Sequence, residues 1–355
     1  MKVLITGICG YVGSRTAAWF KKSAAGIEVF GIDNLSRRGS ETSIEPLKKM
    51  GVKFYHGDVR SVPDVEALPS ADWVIDCAAN PSVLAGTDAH NAASTRQLIG
   101  HNLSGTINML EYSRSRKSGF ILLSTSRVYS INALLSLKLK TGASRFEPVV
   151  TGRVKGFSKA GVAEDFSTEP PLSIYGATKL ASEIMALEYA NAFSFPLWID
   201  RCGVIGGPGQ FGKADQGIFS FWAYSCALGR PPKYIGFGGR QVRDIVSAED
   251  IAELMLRQIR HPGRKAPKII NAGGGNPGAM SLREINNFCS DFFGRKFNPQ
   301  MISGTRPYDV PYYVTDSALA LKNWGWRPSR GVSAIMGDIC GWAAQNTGLI
   351  KTWLS

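Results

Sequence analysis

The opening residues "MKVLITGICGYVG" constrain the fold more than any other stretch of the chain. Lys2 to Gly7 is a short apolar run rich in β-branched residues, the pattern of a parallel strand buried on both faces. It breaks at once into Gly7, Gly10 and Gly13, after which apolar residues recur at helical spacing. Strand-like runs then alternate with helix-like segments: "IEVFGID" (Ile27 to Asp33), "VKFYHGD" (Val52 to Asp58), "ADWVID" (Ala71 to Asp76) and "GFILLST" (Gly119 to Thr125). That alternation predicts an α/β fold around a doubly wound parallel sheet. Beyond Asp200 the regularity weakens; "PLWIDRC" and "KIINAG" are expected to complete the sheet, with a smaller mixed lobe built on it. The stretch 132–172 breaks the alternation, is rich in Lys, Arg, Ser and Pro, and reads as an inserted loop region.

Composition narrows the chemistry. With 355 residues, 44% hydrophobic and 19% charged, an ordinary globular protein is expected, with one unusually long domain or, in better accord with the length, two lobes. No apolar run is long enough to cross a bilayer and the N-terminus lacks a signal-peptide layout, so a cytoplasmic protein with no membrane partner is expected. The six cysteines are scattered without a CxxC pair, and with four histidines at no ligand spacing they predict reduced thiols and no metal site. A formal charge of +13 invites a nucleic-acid reading. The basic residues are spread along the chain, however, and the longest groups, such as "SRSRK" at 113–117, are short. A solvated basic surface is the simpler reading, attraction of a small phosphate-bearing ligand the functional one, and no nucleic-acid partner is expected.

The spacing G-x-x-G-x-x-G between a strand and a helix is suited to a dinucleotide. Glycine permits the tight turn, lets backbone N–H groups approach a pyrophosphate and lets the helix pack on the sheet, while the helix N-terminus favours negative charge. Asp33 ends the next strand, where a carboxylate takes ribose hydroxyls and repels a 2′-phosphate, which points to NAD. Arg37 and Arg38 pull the other way, since an arginine can pair with the phosphate of NADP. Asp58, after the third strand, is either an adenine contact or a turn aspartate.

Two later stretches carry reactive groups. "SIYGATKLASE" places Tyr175 and Lys179 four residues apart, on one face of a helix. A phenol with a pKa of about 10 is a poor base at neutral pH, but a neighbouring ammonium stabilises its phenolate. "LLSTSRVYS" ends an apolar strand in Ser124, Thr125 and Ser126, followed by Arg127. G-x-x-G-x-x-G, then "NLSGTINMLE" (Asn102 to Glu111), then S-T-S-x-V-Y, then Y-x-x-x-K resembles, in that order and over nearly the whole chain, the extended short-chain dehydrogenase/reductase family of nucleotide-sugar epimerases and dehydratases. The resemblance implies a Rossmann-like doubly wound sheet binding NAD, in residues 1–200 mainly, and a smaller mixed C-terminal lobe, 201–355 mainly, that binds a nucleoside diphosphate sugar. It implies Thr125, Tyr175 and Lys179 as the catalytic set, with a homodimer or homotetramer as the assembly.

By the same resemblance the cofactor contacts are Gly7, Cys9, Gly10, Tyr11, Val12 and Gly13 in the first turn and Asp33, Asn34, Ser36 and Arg37 in the second. Further contacts are Asp58 and Val59, Ala78, Ala79 and Asn80, then Asn102, Cys202 and the Tyr175–Lys179 pair. Arg127 stands where dehydratases and decarboxylases of the family carry an acidic residue, which favours plain oxidation and re-reduction. "GQFGKADQGIFSFW" (Gly209 to Trp222), "GFGGRQVRDIVSAEDIA" (Gly236 to Ala252) and "DNLSRRG" (Asp33 to Gly39) resemble the branch of CDP-paratose 2-epimerases, also called CDP-tyvelose epimerases. Arg243 and Arg306 fit a pair of guanidinium groups clamping a diphosphate. Asn80, Ser126, Arg127, Gln210, Asp215 and Gln216 are the other substrate candidates. Val204 replaces a polar residue common near the substrate, and the 132–172 insertion lengthens the span from Thr125 to Tyr175; both leave room for another sugar. A UDP-sugar 4-epimerase would use the same three catalytic residues. A non-catalytic NAD-sensing protein on the same frame would be expected to lack one of them.

Overall fold

The computed structural model describes residues 1–85, 94–213 and 216–354. Seven strands form the central sheet: β1 (Lys2–Thr6), β2 (Glu28–Asp33), β3 (Lys53–His56), β4 (Trp73–Asp76), β5 (Gly119–Thr125), β6 (Leu197–Cys202) and β7 (Ile269–Ala272). All pair in parallel, in the order β7-β6-β5-β4-β1-β2-β3. The order reverses between β1 and β4, so a crevice opens at the carboxyl ends of these two strands, where ligands of open α/β sheets bind.

The strands read as continuous apolar runs because both sheet faces are covered. Val3 and Ile5 pack on one face with Ala17 and Phe20 of the helix α1 (Tyr11–Ser23). Leu4 packs on the other with Leu110 and Ala186, from helices α2 (Gly105–Arg116) and α3 (Ile174–Phe193). A separate cluster of Phe219, Trp222, Ile285, Ile335 and Ile339 builds the core of the C-terminal region. The six cysteines are free. Among the described residues no helix is long and apolar enough to cross a membrane, and no group of His, Cys, Asp and Glu could hold a metal ion.

The stretch 132–172 differs from the loop reading. It carries the end of a short helix (Ile131–Leu135) and two small hairpins, Leu139–Thr141 with Phe146–Pro148 and Phe157–Ser158 with Gly161–Val162. The first hairpin docks on the C-terminal region: Arg145 Nε donates to Glu284 Oε1 at 2.7 Å, and Phe146 packs edge-on against Phe237. The second lies beside Val314, whose carbonyl accepts from the Val162 N–H at 2.8 Å. Strands of two or three residues are too short to leave a period in a sequence.

Candidate active site

The turn after β1 is built for close approach. Gly7 has φ +63°, where L side chains are strained. A Cβ at Gly13 would lie 2.3 Å from the Gly7 carbonyl oxygen, and one at Gly7 would lie 3.0 Å from Ala78 Cα. The α1 helix therefore starts directly against the strand ends. Gly10 caps it without a side chain, and no acidic residue sits in its first turn, so its first N–H groups face the crevice uncompensated. Uncapped N–H groups and a glycine cradle fit a pyrophosphate.

Asp33 stands at the end of β2 beside this turn. Its Oδ2 accepts from the Cys9 N–H at 3.0 Å and its Oδ1 from the Leu35 N–H at 2.8 Å. Burial raises its pKa, and these backbone donors oppose the rise. Arg37 donates to the Phe211 carbonyl at 3.0 Å, and Arg38 to the Thr352 carbonyl. The structure gives both arginines these partners within the chain, while Asp33 lines the cleft, in keeping with NAD rather than NADP.

One cleft runs from this turn past the end of β5 into the C-terminal region, and most of the expected residues line it. They are Gly7, Gly10, Tyr11, Val12, Gly13, Asp33, Asn34, Ser36, Arg37, Val59, Ala78 and Ala79 at the cofactor end, and Thr125, Ser126, Arg127, Tyr175, Lys179 and Cys202 at the centre. Gln210, Gln216, Arg243 and Arg306 line the far end. Four expected contacts are not brought to its wall. Cys9 is buried, with only its N–H used, on Asp33. Asp58 is engaged by Arg60, 2.6 Å away, and by Asn34, which hold its carboxyl far below the usual range. Asn102 is fully buried and grips the Asn80 backbone, accepting from its N–H at 2.7 Å and donating to its carbonyl at 3.0 Å. Asn102 thus fixes the Asn80 backbone between Ala79 and Pro81 of the cleft. Asp215 lies outside the described residues.

At the centre, the register sets Cys202 beside Thr125 across β6 and β5. The Thr125 hydroxyl is close enough to the Tyr175 phenol to favour its phenolate, and its Oγ1 accepts from the Arg127 N–H at 3.2 Å. The α3 helix is brought in by Ser173, at φ +87°, whose hydroxyl caps the Gly176 N–H, and by Gly176, where a Cβ would lie 2.2 Å from the Arg127 carbonyl oxygen. Burial raises the Tyr175 pKa; the Thr125 hydrogen bond and the Arg127 charge act against it. Lys179 is buried, which lowers its pKa, while Asp76 and Glu183 favour its charged form. The row of hydroxyls divides its work: Ser124 donates to Glu183, while Thr125 and Ser126 line the cleft with Tyr175.

At the far end, Arg243 Nη2 is 2.6 Å from Asp309 Oδ1, and burial pushes its pKa down to about 10. Gln210 is held in its own loop, donating to the Ile205 carbonyl at 2.9 Å and accepting from the Ser220 hydroxyl at 3.0 Å. The sequence reading missed Asp76, Glu183, Tyr308 and Asp309. Glu183 had a signal, since it follows Lys179 by the same four residues that separate Lys179 from Tyr175; the others had none.

The chain matches the model of the NAD dependent epimerase/dehydratase family over residues 3–273. It is 29% identical over 301 residues to CDP-paratose 2-epimerase of Salmonella typhi, covering 82% of this chain and 84% of that protein. It is 27% identical over 361 residues, 98% of each chain, to UDP-glucuronate 4-epimerase of Thermodesulfobacterium geofontis. Its fold is similar to the crystal structure of UDP-glucuronic acid 4-epimerase from Bacillus cereus in complex with UDP-glucuronic acid and NAD, with a TM-score of 0.77 at 22% identity over 97% of this chain and 99% of that one. The glycine cradle, Asp33 and the Thr125–Tyr175–Lys179 cluster thus stand in a matched family, and the chain belongs to the NAD dependent epimerase/dehydratase family, with NAD as its cofactor.

Proposed function

We propose that the protein inverts one carbon of a nucleoside diphosphate sugar by oxidising it to a ketone and reducing it again, with C2 of a CDP-linked hexose of the paratose/tyvelose type as the reacting centre. The observation that carries the reaction type is the charge around Thr125. Arg127 occupies the turn there, and the cleft's carboxylates among the described residues are Asp33, at the cofactor end, and Asp309, paired with Arg243. An elimination or decarboxylation would call for an acid beside the reacting carbon, whereas oxidation and re-reduction need a base and a hydrogen-bond donor.

Bound NAD supplies a hydride acceptor that can give the hydride back. The chain's residues handle the proton. Tyr175 takes it from the sugar hydroxyl and returns it to the same oxygen, Thr125 orients that oxygen, and Lys179 keeps a buried positive charge one helical turn away. Arg243 and Arg306 attract the diphosphate at the far end. The CDP-sugar assignment is supported by the sequence likeness to CDP-paratose 2-epimerase. A UDP-sugar 4-epimerase is the second reading, favoured by the full-length likeness to UDP-glucuronate 4-epimerase.

The test is proton NMR of the purified protein, with and without added NAD, incubated with CDP-, UDP-, GDP- and dTDP-linked hexoses. A C2 epimer from a CDP-sugar is the expected product. A C4 epimer from a UDP-sugar would replace the substrate assignment, and loss of a sugar oxygen or of carbon dioxide would overturn the reaction type.

A further inference from the structure

Arg127 and Lys179 line the cleft with Tyr175, and their surroundings differ. The charge of Lys179, one turn along α3, is favoured by Asp76 of β4 and by Glu183 of its own helix. Arg127 has no such neighbour: among the described residues no carboxylate pairs with its guanidinium, which is held by a bond from Nη1 to the Tyr308 carbonyl at 3.0 Å. Tyr308 itself adopts φ +62°, an uncommon conformation for a tyrosine. The turn that carries Arg127 touches the turn that carries Tyr175, since a Cβ at Gly176 would meet the Arg127 carbonyl oxygen at 2.2 Å. A lysine whose charge is balanced by two carboxylates lends less net field to a phenolate than an arginine whose charged neighbour is Arg243, itself a cation already paired with Asp309.

We infer that Arg127 is a positioning residue for proton transfer, its guanidinium set against the Tyr175 phenol by Tyr308 and its backbone N–H orienting the Thr125 hydroxyl. This rests on the reading of Tyr175 as the base. The forward step moves the proton of the sugar hydroxyl to the Tyr175 oxygen while the hydride on that carbon leaves to NAD⁺ and a C=O bond forms; the return step reverses each transfer. Arg127 acts by favouring the deprotonated phenol that begins this step. The other groups around Tyr175 do not supply that charge. Cys202, in the same cleft, is kept a neutral thiol by burial, Val83, Ala85 and Leu98 pack on Tyr175 as apolar walls, and His101 is engaged with the Gln97 carbonyl.

The test is a pH titration of holoprotein labelled at the tyrosine ring ¹³Cζ, the Tyr175 resonance being the one absent from Y175F. In R127Q the Tyr175 midpoint should move up by about one pH unit, the size expected of one charge removed from a partly screened pocket, and R127K should restore most of it. With a sugar nucleotide that the enzyme turns over, the acid limb of kcat should move up by the same amount while KM stays within about threefold. An unmoved midpoint in R127Q, or a raised KM with an unmoved limb, would overturn the inference and make Arg127 a substrate contact or a structural residue. Turnover by Y175F would remove Tyr175 as base, a separate failure that the titration does not share.

Discussion

Gly13 has no room for a methyl group. The atom that a Cβ would strike at 2.3 Å is the Gly7 carbonyl oxygen, which is backbone and already accepts from the Gly10 N–H at 2.9 Å. Gly13→Ala should therefore push the start of α1 off the strand ends and lower the NAD retained through gel filtration by about tenfold or more, with the sheet still folded; full cofactor content in that variant would contradict the cradle. Residues of this kind were legible in the sequence because the chemistry dictates both their identity and their spacing: Gly7, Gly10 and Gly13 within one turn, Tyr175 and Lys179 on one helical face. Arg243 was legible and its partner Asp309 was not, because 66 residues separate them and no local rule links them. Asn102 was read as a cofactor contact, and its side chain is engaged with the Asn80 backbone, 22 residues earlier, a link that only the folded structure reveals.

At the scale of elements, α3 organises the site. Tyr175, Lys179 and Glu183 recur every four residues along it, and Glu183 ties the helix to two neighbouring strands, accepting from Ser124 at the end of β5 and from Arg201 of β6, whose Nη2 lies 2.7 Å away. Both members of this ion pair are almost fully buried, at 1% and 6% side-chain exposure. A buried pair contributes little over apolar packing, but removing one member strands the other charge. Glu183→Ala should lower unfolding stability by about 3–5 kcal/mol, read from denaturant melts; a loss below about 1 kcal/mol would mean that water reaches Arg201. The parallel strands were legible as apolar runs bounded by glycine and aspartate. The hairpins within 132–172 were not, since contacts such as Arg145 with Glu284, far along the chain, hold them in place rather than any local pattern.

For the whole molecule, the arrangement of charge matters more than its sum. The cleft gathers Arg37, Arg127, Lys179, Lys233, Arg243 and Arg306 against the carboxylates of Asp33 and Asp309 among the described residues, a setting for ligands that bring phosphate. The alternation of strand and helix made the doubly wound sheet legible, whereas the meeting of both halves of the chain at one cleft depends on long-range pairing that a sequence pattern does not encode. The central claim is that the epimerised carbon loses and regains its own hydrogen as hydride. The most direct measurement is to run the conversion in D₂O and follow that carbon by proton NMR. The account predicts a product that keeps protium there, since hydride held by the cofactor does not exchange with solvent; deuterium at the epimerised carbon would contradict it and point to proton abstraction from carbon.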